Sequence, residues 1–222
     1  MKASTDRKRV SNRTLLYFPI VHSQSEMGKL GKTIRKVTQQ KLGRRVWQRK
    51  VDLVDRFWEH LAEIVFQDLA IPYARTRVYQ DGLPVCDKEI EIVTEIAKLG
   101  SPNHRLLLQL REKGATIMGT ESAELLIREY RLAKEILNAG DAREALELEA
   151  QQKAAGEQLL EKRDAFIAAR IDQTLLAGET GLLFLGMLHS PVARLPPDIR
   201  VLYPLEGLLE KGGPLDSEVR KR

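Results

Sequence analysis

Residues 181–189 read Gly-Leu-Leu-Phe-Leu-Gly-Met-Leu-His, an apolar run from Gly181 to Leu188 closed by the imidazole of His189. A run that short, followed by a Pro-rich turn, reads as a buried strand rather than a helix. The pattern recurs along the chain. Thr14 to Val21 is rich in Leu, Tyr, Phe, Ile and Val, and His22 ends it. Ala115 to Met118 is a short strand closed by Gly119, Thr120 and Glu121, and Arg75 to Tyr79 runs into the turn signal Gln80, Asp81, Gly82. Ile199 to Tyr203 supplies a further strand.

Helices fill the intervals. From Met27 to Leu69 apolar positions recur every three or four residues, through Leu30, Ile34 and Val37 and then Trp47, Val51, Val54, Trp58, Leu61 and Val65. That spacing predicts one long helix, or two broken near Gly43, stopped by Pro72. Asp87 is expected to cap a helix through Leu99, and Ser101 followed by Pro102 to cap the next, which ends at Gly114. A helix from Ser122 to Leu137 follows. Asp141, with Glu144 three residues on, opens an Ala/Glu-rich helix to Ala177 with room for a break at Gly156. The expected fold class is α+β, a helix-rich single domain around a small, largely parallel central sheet. The domain is expected over 14–212 with a helical insertion at about 27–69, between a basic disordered tail at 1–13 and a disordered tail at 213–222.

Composition excludes several classes. In 222 residues, 43% are hydrophobic and 30% charged, which fits a folded globule and not a disordered chain. No window approaches the ~20 apolar residues that a membrane helix needs, so no membrane span is expected. Behind Lys2, Arg7, Lys8, Arg9 and Arg13 the apolar run is only Leu15 to Val21 and lacks a small-residue cleavage site, so no secretory signal is expected. A single cysteine, Cys86, cannot form an internal disulfide, and the cytoplasm is the default compartment. Of the charge, nine basic residues fall between Lys29 and Lys50. They read first as a solvated helix face, and only second as a site for phosphate, RNA or anionic lipid.

Chemistry is concentrated where strands end. His22, Glu121 and His189 each close an apolar strand with a group able to ligate a metal or move a proton, and Asp81 is a weaker fourth. In open α/β sheets ligands sit outside the carboxyl ends of the strands, so parallel strands bring these residues to one rim. Two imidazoles and a carboxylate then make a three-ligand set with an open position, where a divalent ion lowers the pKa of bound water. The plainer alternative is that each histidine satisfies a turn, since no short-range pair such as H-E-x-x-H is present. Arg163 lies on the apolar stripe of its helix with Leu159, Leu160, Phe166 and Ile167, and must find a partner there. It reads either as a structural ion pair or snorkelling side chain, or as an anion clamp beside the strand ends. Arg170 shares the stripe and ranks second.

Several of these segments resemble the TraB/Tiki group. Gly114 to Tyr130, GATIMGTESAELLIREY, is similar to that group's strand, glycine-containing turn, glutamate and helix. Lys162 to Leu205 resembles its closing segment: Arg163 followed by Asp164, an amphipathic helix, and a strand ending in Gly186, Met187, Leu188 and His189, a Gly-x-x-His motif. Pro19, Ile20, Val21 and His22 stand in the place of the group's first Gly-x-x-His. The resemblance covers roughly the first 25 residues and then 110–205. It implies a place in the superfamily that also holds erythromycin-esterase-like and ChaN-like proteins. In the Tiki branch it implies metal-dependent peptide hydrolysis, with His22, Glu121 and His189 as ligands of a divalent metal ion and Arg163 as the site arginine.

The leading expectation is therefore a metal-dependent hydrolase of peptide or ester bonds, with a small-molecule or peptide substrate and Glu121, Arg163 and His189 as the catalytic set. Its rivals are a non-catalytic ligand-binding protein of the same fold and a scaffold that binds nucleic acid through the basic 29–50 helix. Nucleic acid is not the expected partner, and a homo-oligomer is compatible with the sequence. The remaining candidates are blander. Cys86 has no histidine near it in sequence to make it a nucleophile. His60 and His104 are expected at the surface, and Trp47 and Trp58 in the core of their helix.

Overall fold

The computed structural model describes residues 13–23, 26 and 28–206, without the side chains of residues 28–30, 32, 41 and 42. The tail expected over 1–13 lies outside the described residues except for Arg13. That residue begins a strand and forms ion pairs with Asp172 and Asp198 at 2.9 and 2.8 Å. The tail expected over 213–222 lies wholly outside them.

Strands β1 (Arg13–Ile20), β2 (Thr76–Gln80), β3 (Thr116–Met118), β4 (Thr180–Gly186) and β5 (Ile199–Leu202) form one sheet in the order β3-β2-β4-β1-β5, with every pairing parallel. Around it stand α1 (Gly28–Leu42), α2 (Arg44–Glu63), α3 (Glu89–Lys98), α4 (Pro102–Glu112), α5 (Ala123–Leu137) and α6 (Ala142–Thr174). This is the helix-rich α+β architecture expected. Each face of the sheet is covered. Leu16, Phe18, Val78, Leu182 and Phe184 pack against Trp58 and Leu61 of α2 and Leu106, Leu107 and Leu110 of α4. On the other face Leu15, Tyr17, Tyr79, Leu183 and Leu185 meet Ile167 and Ile171 of α6 and Leu175 beyond it. Burial on both faces is why β1 and β4 read as unbroken apolar runs rather than as alternating patterns. Side chains of this kind stabilise the fold by about 1.5–3 kcal/mol each when fully buried, and Leu15, Phe18, Ile20 and Leu182 to Leu185 of these two strands are buried almost completely. Pro19 is tolerated in β1 because pairing with β5 ends at Leu16, so the strand has a single neighbour where the ring lies.

Element boundaries follow the expected signals with three main exceptions. Gly43, at φ +80°, separates α1 from α2. Ser101 Oγ accepts the His104 N–H, and Pro102 occupies the first turn of α4. Asp141 accepts the N–H groups of Arg143 and Glu144 and opens α6. The first exception is Asp87, which is not a cap: it sits at φ 60°, and Glu89 reaches back to the N–H groups of Cys86 and Asp87 instead. Second, α6 continues through Gly156 without a break and ends at Thr174, short of Ala177. Third, β4 ends at Gly186, so Met187 and Leu188 leave the sheet as a turn and stand 69% and 83% exposed. Among the described residues no helix is long and apolar enough to cross a membrane.

Candidate functional site

Parallel pairing brings the ends of four strands to one rim, and the residues just past them converge there. His22 follows β1, Asp81 follows β2, Glu121 follows β3 and His189 follows the turn after β4. Local structure fixes each one. The Trp58 indole donates to the Val21 carbonyl at 3.1 Å, so α2 holds the exit of β1. Beyond β2 and β3 the two chains keep pairing, with Val85 N–H on the Glu121 carbonyl at 2.9 Å and the Glu121 N–H on Leu83 at 3.0 Å. Tyr17 donates its hydroxyl proton to the His189 carbonyl at 3.3 Å.

Gly186 has a specific reason to be glycine. A Cβ there would lie 2.9 Å from Asp81 Oδ2 and 3.1 Å from His22 Nε2. The backbone therefore passes directly under the site, and the Gly186 N–H donates to the same Asp81 oxygen at 2.7 Å.

Asp81, Glu121 and His189 each offer one ligand atom, and these atoms all lie within 4.8 Å of one another. This group differs from the expected ligand set in containing Asp81, and His22 stands beside it. Both ring nitrogens of His22 are occupied, Nε2 with Asp81 Oδ2 at 3.1 Å and Nδ1 with Glu26 Oε2 at 2.9 Å, so it borders the cluster without completing it. His189 presents Nε2 to Asp81 Oδ2 at 3.6 Å, while its Nδ1 pairs with Asp164 Oδ1 at 2.6 Å. Asp164 Oδ2 accepts the Ser190 N–H, which fixes the carboxylate that fixes the ring.

Arg163 reaches the site as expected and binds it more extensively than a single ion pair would. Its Nε and Nη2 donate to the two oxygens of Glu121 at 2.6 and 2.8 Å, Nη2 also donates to Asp81 at 2.9 Å, and Nη1 donates to Glu129 at 2.5 Å. A guanidinium has five N–H groups, so one on Nη1 has no partner among the described residues. Arg170 instead donates to the Gly119 carbonyl, a structural contact behind the site.

Charge is unevenly balanced here. The side-chain carboxylates of Glu26, Asp81, Glu121 and Asp164 are all buried, and among the described residues the buried permanent cation beside them is Arg163, 5% exposed. Burial would raise the Asp81 carboxyl, but its bonds to His22 and the nearby His189 and Arg163 hold it well below the usual carboxylate range. For Glu121 burial wins, and its pKa is raised despite the Arg163 fork. Burial would depress His22, yet hydrogen bonds to Asp81 and Glu26 outweigh it and push the ring up to about 10. His104, expected at the surface, is buried: it pairs through Nδ1 with Ser101 Oγ at 3.0 Å and is pushed down to about 4 by that burial. His60 is half exposed, as expected.

The cluster opens on a cleft of about 590 Å³ whose walls include Ile96, Leu126, Leu160, Met187 and Leu188 beside the charged residues. A second cavity of about 360 Å³ shares His22 as a wall, and Trp47 lines it instead of entering the core with Trp58. The described basic residues of the 29–50 stretch, Arg35, Lys36, Arg44, Arg45, Arg49 and Lys50, are exposed.

Two residues have no role of their own in the sequence reading. Asp164 had a usable signal, a carboxylate directly after Arg163 on the buried stripe of α6. Glu26, four residues past His22, had only that spacing. Comparison of the chain with family models, with curated proteins and with solved structures finds no match.

Proposed function

We propose that the protein is a divalent-metal-dependent hydrolase of the TraB/Tiki-like kind, acting on a carboxylic ester or peptide bond, with Asp81, Glu121 and His189 as the residues that would hold the ion. One observation carries this reading: the three ligand atoms gathered within 4.8 Å at the rim of the sheet, where buried carboxylates outnumber the guanidinium that faces them. Two carboxylate oxygens and an imidazole suit a borderline or hard divalent ion. Such an ion supplies Lewis acidity and an activated water at neutral pH.

The chain's own groups fall into roles around that centre. Among the described residues lining the cleft there is no Ser, Thr, Cys or Lys, so water is the natural nucleophile rather than a side chain. Asp164 sets the tautomer and direction of His189, as carboxylates do for ligating imidazoles. Arg163 clamps Asp81 and Glu121 in one orientation and keeps an N–H for the oxyanion that develops on a polarised carbonyl. His22, at the wall between the two cavities, is placed to carry the proton that a leaving group takes up.

Calorimetric titration of chelator-treated protein with zinc and manganese tests the centre. One ion per chain is expected, with the affinity falling at least tenfold in Glu121→Gln, together with turnover of activated esters or fluorogenic peptides that a chelator abolishes. Absence of stoichiometric binding by either metal would sink the reading. Turnover indifferent to chelation would point instead to the Asp164–His189 pair acting as a metal-free general base.

A further inference from the structure

The cavity on the far side of His22 assigns a substrate class. Its walls are Ile34 of α1, Trp47, Val51 and Val54 of α2, and Pro102 at the start of α4, with the exposed Lys50 and Asp55 towards solvent. We propose that this cavity is the acyl pocket of the site, so that the substrate is an ester or amide of an aliphatic acid whose chain runs past His22 between α1 and α2. The proposal rests on the hydrolase reading above and sharpens it.

Three features favour a hydrocarbon chain. The first is adjacency: His22 lines both this cavity and the cleft lined by Asp81, Arg163 and His189, so a molecule reacting at the centre has this space directly beside it. The second is the lining, in which Ile34, Trp47, Val51, Val54 and Pro102 form an apolar wall beside the polar Ser23, Lys50 and Asp55. The third is the backbone. The wall residues of α1 and α2 lie inside helices, whose N–H and C=O groups bond to one another, and among the described residues of the wall none belongs to a strand that could pair with an extended peptide. A peptide entering here would leave its amides without partners, at a cost a hydrocarbon chain does not incur. About 360 Å³ is ample for a medium-length chain.

Methyl ketones of increasing length, from 2-hexanone to 2-dodecanone, test this without turnover, since they present a carbonyl and a chain but no hydrolysable bond. Trp47 lines the cavity and Trp58 is buried in the core, so binding is read from Trp47 fluorescence, with Trp47→Phe as the control for the source of the signal. Affinity should rise about fourfold per methylene and level off once the cavity is filled. Val51→Phe, which fills the space with apolar atoms, should move that plateau to a shorter chain, and Val51→Asp should weaken 2-decanone at least tenfold, both variants being checked for folding by thermal melting. Affinity independent of chain length, or a plateau that Val51→Phe leaves in place, would overturn the proposal. A parallel zinc titration reads the carboxylate centre alone. Chain-length-dependent binding without any metal binding would keep the pocket and remove the metal-dependent hydrolase.

Discussion

Arg163 shows how much a single side chain holds here. It is buried against Asp81 and Glu121 and reaches Glu129, so Arg163→Ala leaves two buried carboxylates facing each other with no guanidinium. Breaking a buried pair from one side costs about 3–5 kcal/mol, and in a domain of this size that is a fall in melting temperature on the order of 10 °C. A purely structural arginine predicts that the loss is the same with and without metal. If the carboxylates belong to a cation centre, zinc or manganese should restore part of the melting temperature of Arg163→Ala, because the ion replaces the missing positive charge. Arg163→Lys keeps the charge but replaces a planar fork that meets three carboxylates by a point donor. It is therefore expected to lie between parent and alanine variant in stability, and not to match the parent. At the neighbouring position, Asp164→Asn preserves shape but removes the negative charge and leaves one acceptor oxygen for two donors, the His189 ring and the Ser190 N–H. It should weaken metal binding about 10–100-fold with little effect on melting, and a calorimetric titration showing parental affinity would take Asp164 out of the site.

At the scale of elements, α6 offers a clean test of how helix and site are linked. Gly156 lies in the middle of this continuous helix, and a Cβ there meets nothing within 4 Å. Gly156→Ala should raise stability by roughly 0.5–1 kcal/mol, about 2–4 °C in melting temperature, while zinc binding stays as it was, because the substitution acts on backbone freedom alone. A change in metal affinity instead would mean that the helix bends at Gly156 and that the bend reaches Arg163. The same helix shows what could be read from residues. Period and caps located α6, α4 and the break at Gly43, and apolar runs closed by polar residues located the strands, since those signals are local. The long-range facts were less legible. That β2 lies between β3 and β4, which brings Asp81 into contact with His189, is decided by sheet order and not by anything within Arg75 to Gly82. The pairing of His22 with Asp81 was hidden for the same reason: it depends on the residue after β2 lying against the Gly186 backbone, and not on anything next to His22 in sequence. His104 reads as a surface residue because it follows a cap and precedes Arg105, yet the Ser101–Glu26 contact folds the β1 exit over it.

The whole molecule sets a basic exterior, with a net charge of +5, around an interior site in which acidic groups predominate, and this makes its stability a function of pH in a definable window. His104 is the group to follow. It is 5% exposed, its Nδ1 faces Ser101, and the charged groups acting on it are the Glu26 carboxylate and, with opposite effect, the His22 ring. Burial holds its pKa near 4, below the ordinary value of 6.5. Between those two values the unfolded chain binds a proton that the folded chain refuses, so stability is complete above about pH 6.5 and is lost as pH falls towards 4. His22 does not blur this window: its folded pKa is raised to about 10, so it is protonated in both states wherever the pH is well below 6.5. Carboxylates with depressed values, Asp81 and Glu179 among them, add their own acid loss only below their unfolded pKa near 4. Glu121 works in the opposite sense: raised by burial, it takes up a proton in the folded chain before the unfolded one and so adds stability as pH falls towards the ordinary carboxylate range. The expected parent profile is therefore the His104 loss between about pH 6.5 and 4.5, offset in part by Glu121, with a steeper fall beneath it. The His104 share is on the order of 3 kcal/mol, or about 6–12 °C in melting temperature. His104→Gln keeps a polar side chain beside Ser101 without a titrating ring, so it should lose no melting temperature through this window and fall with the parent below it. Melting curves at half-unit steps from pH 7.5 to 3.5 decide the matter, and a loss through this window that persists in the variant would assign it to a group other than His104.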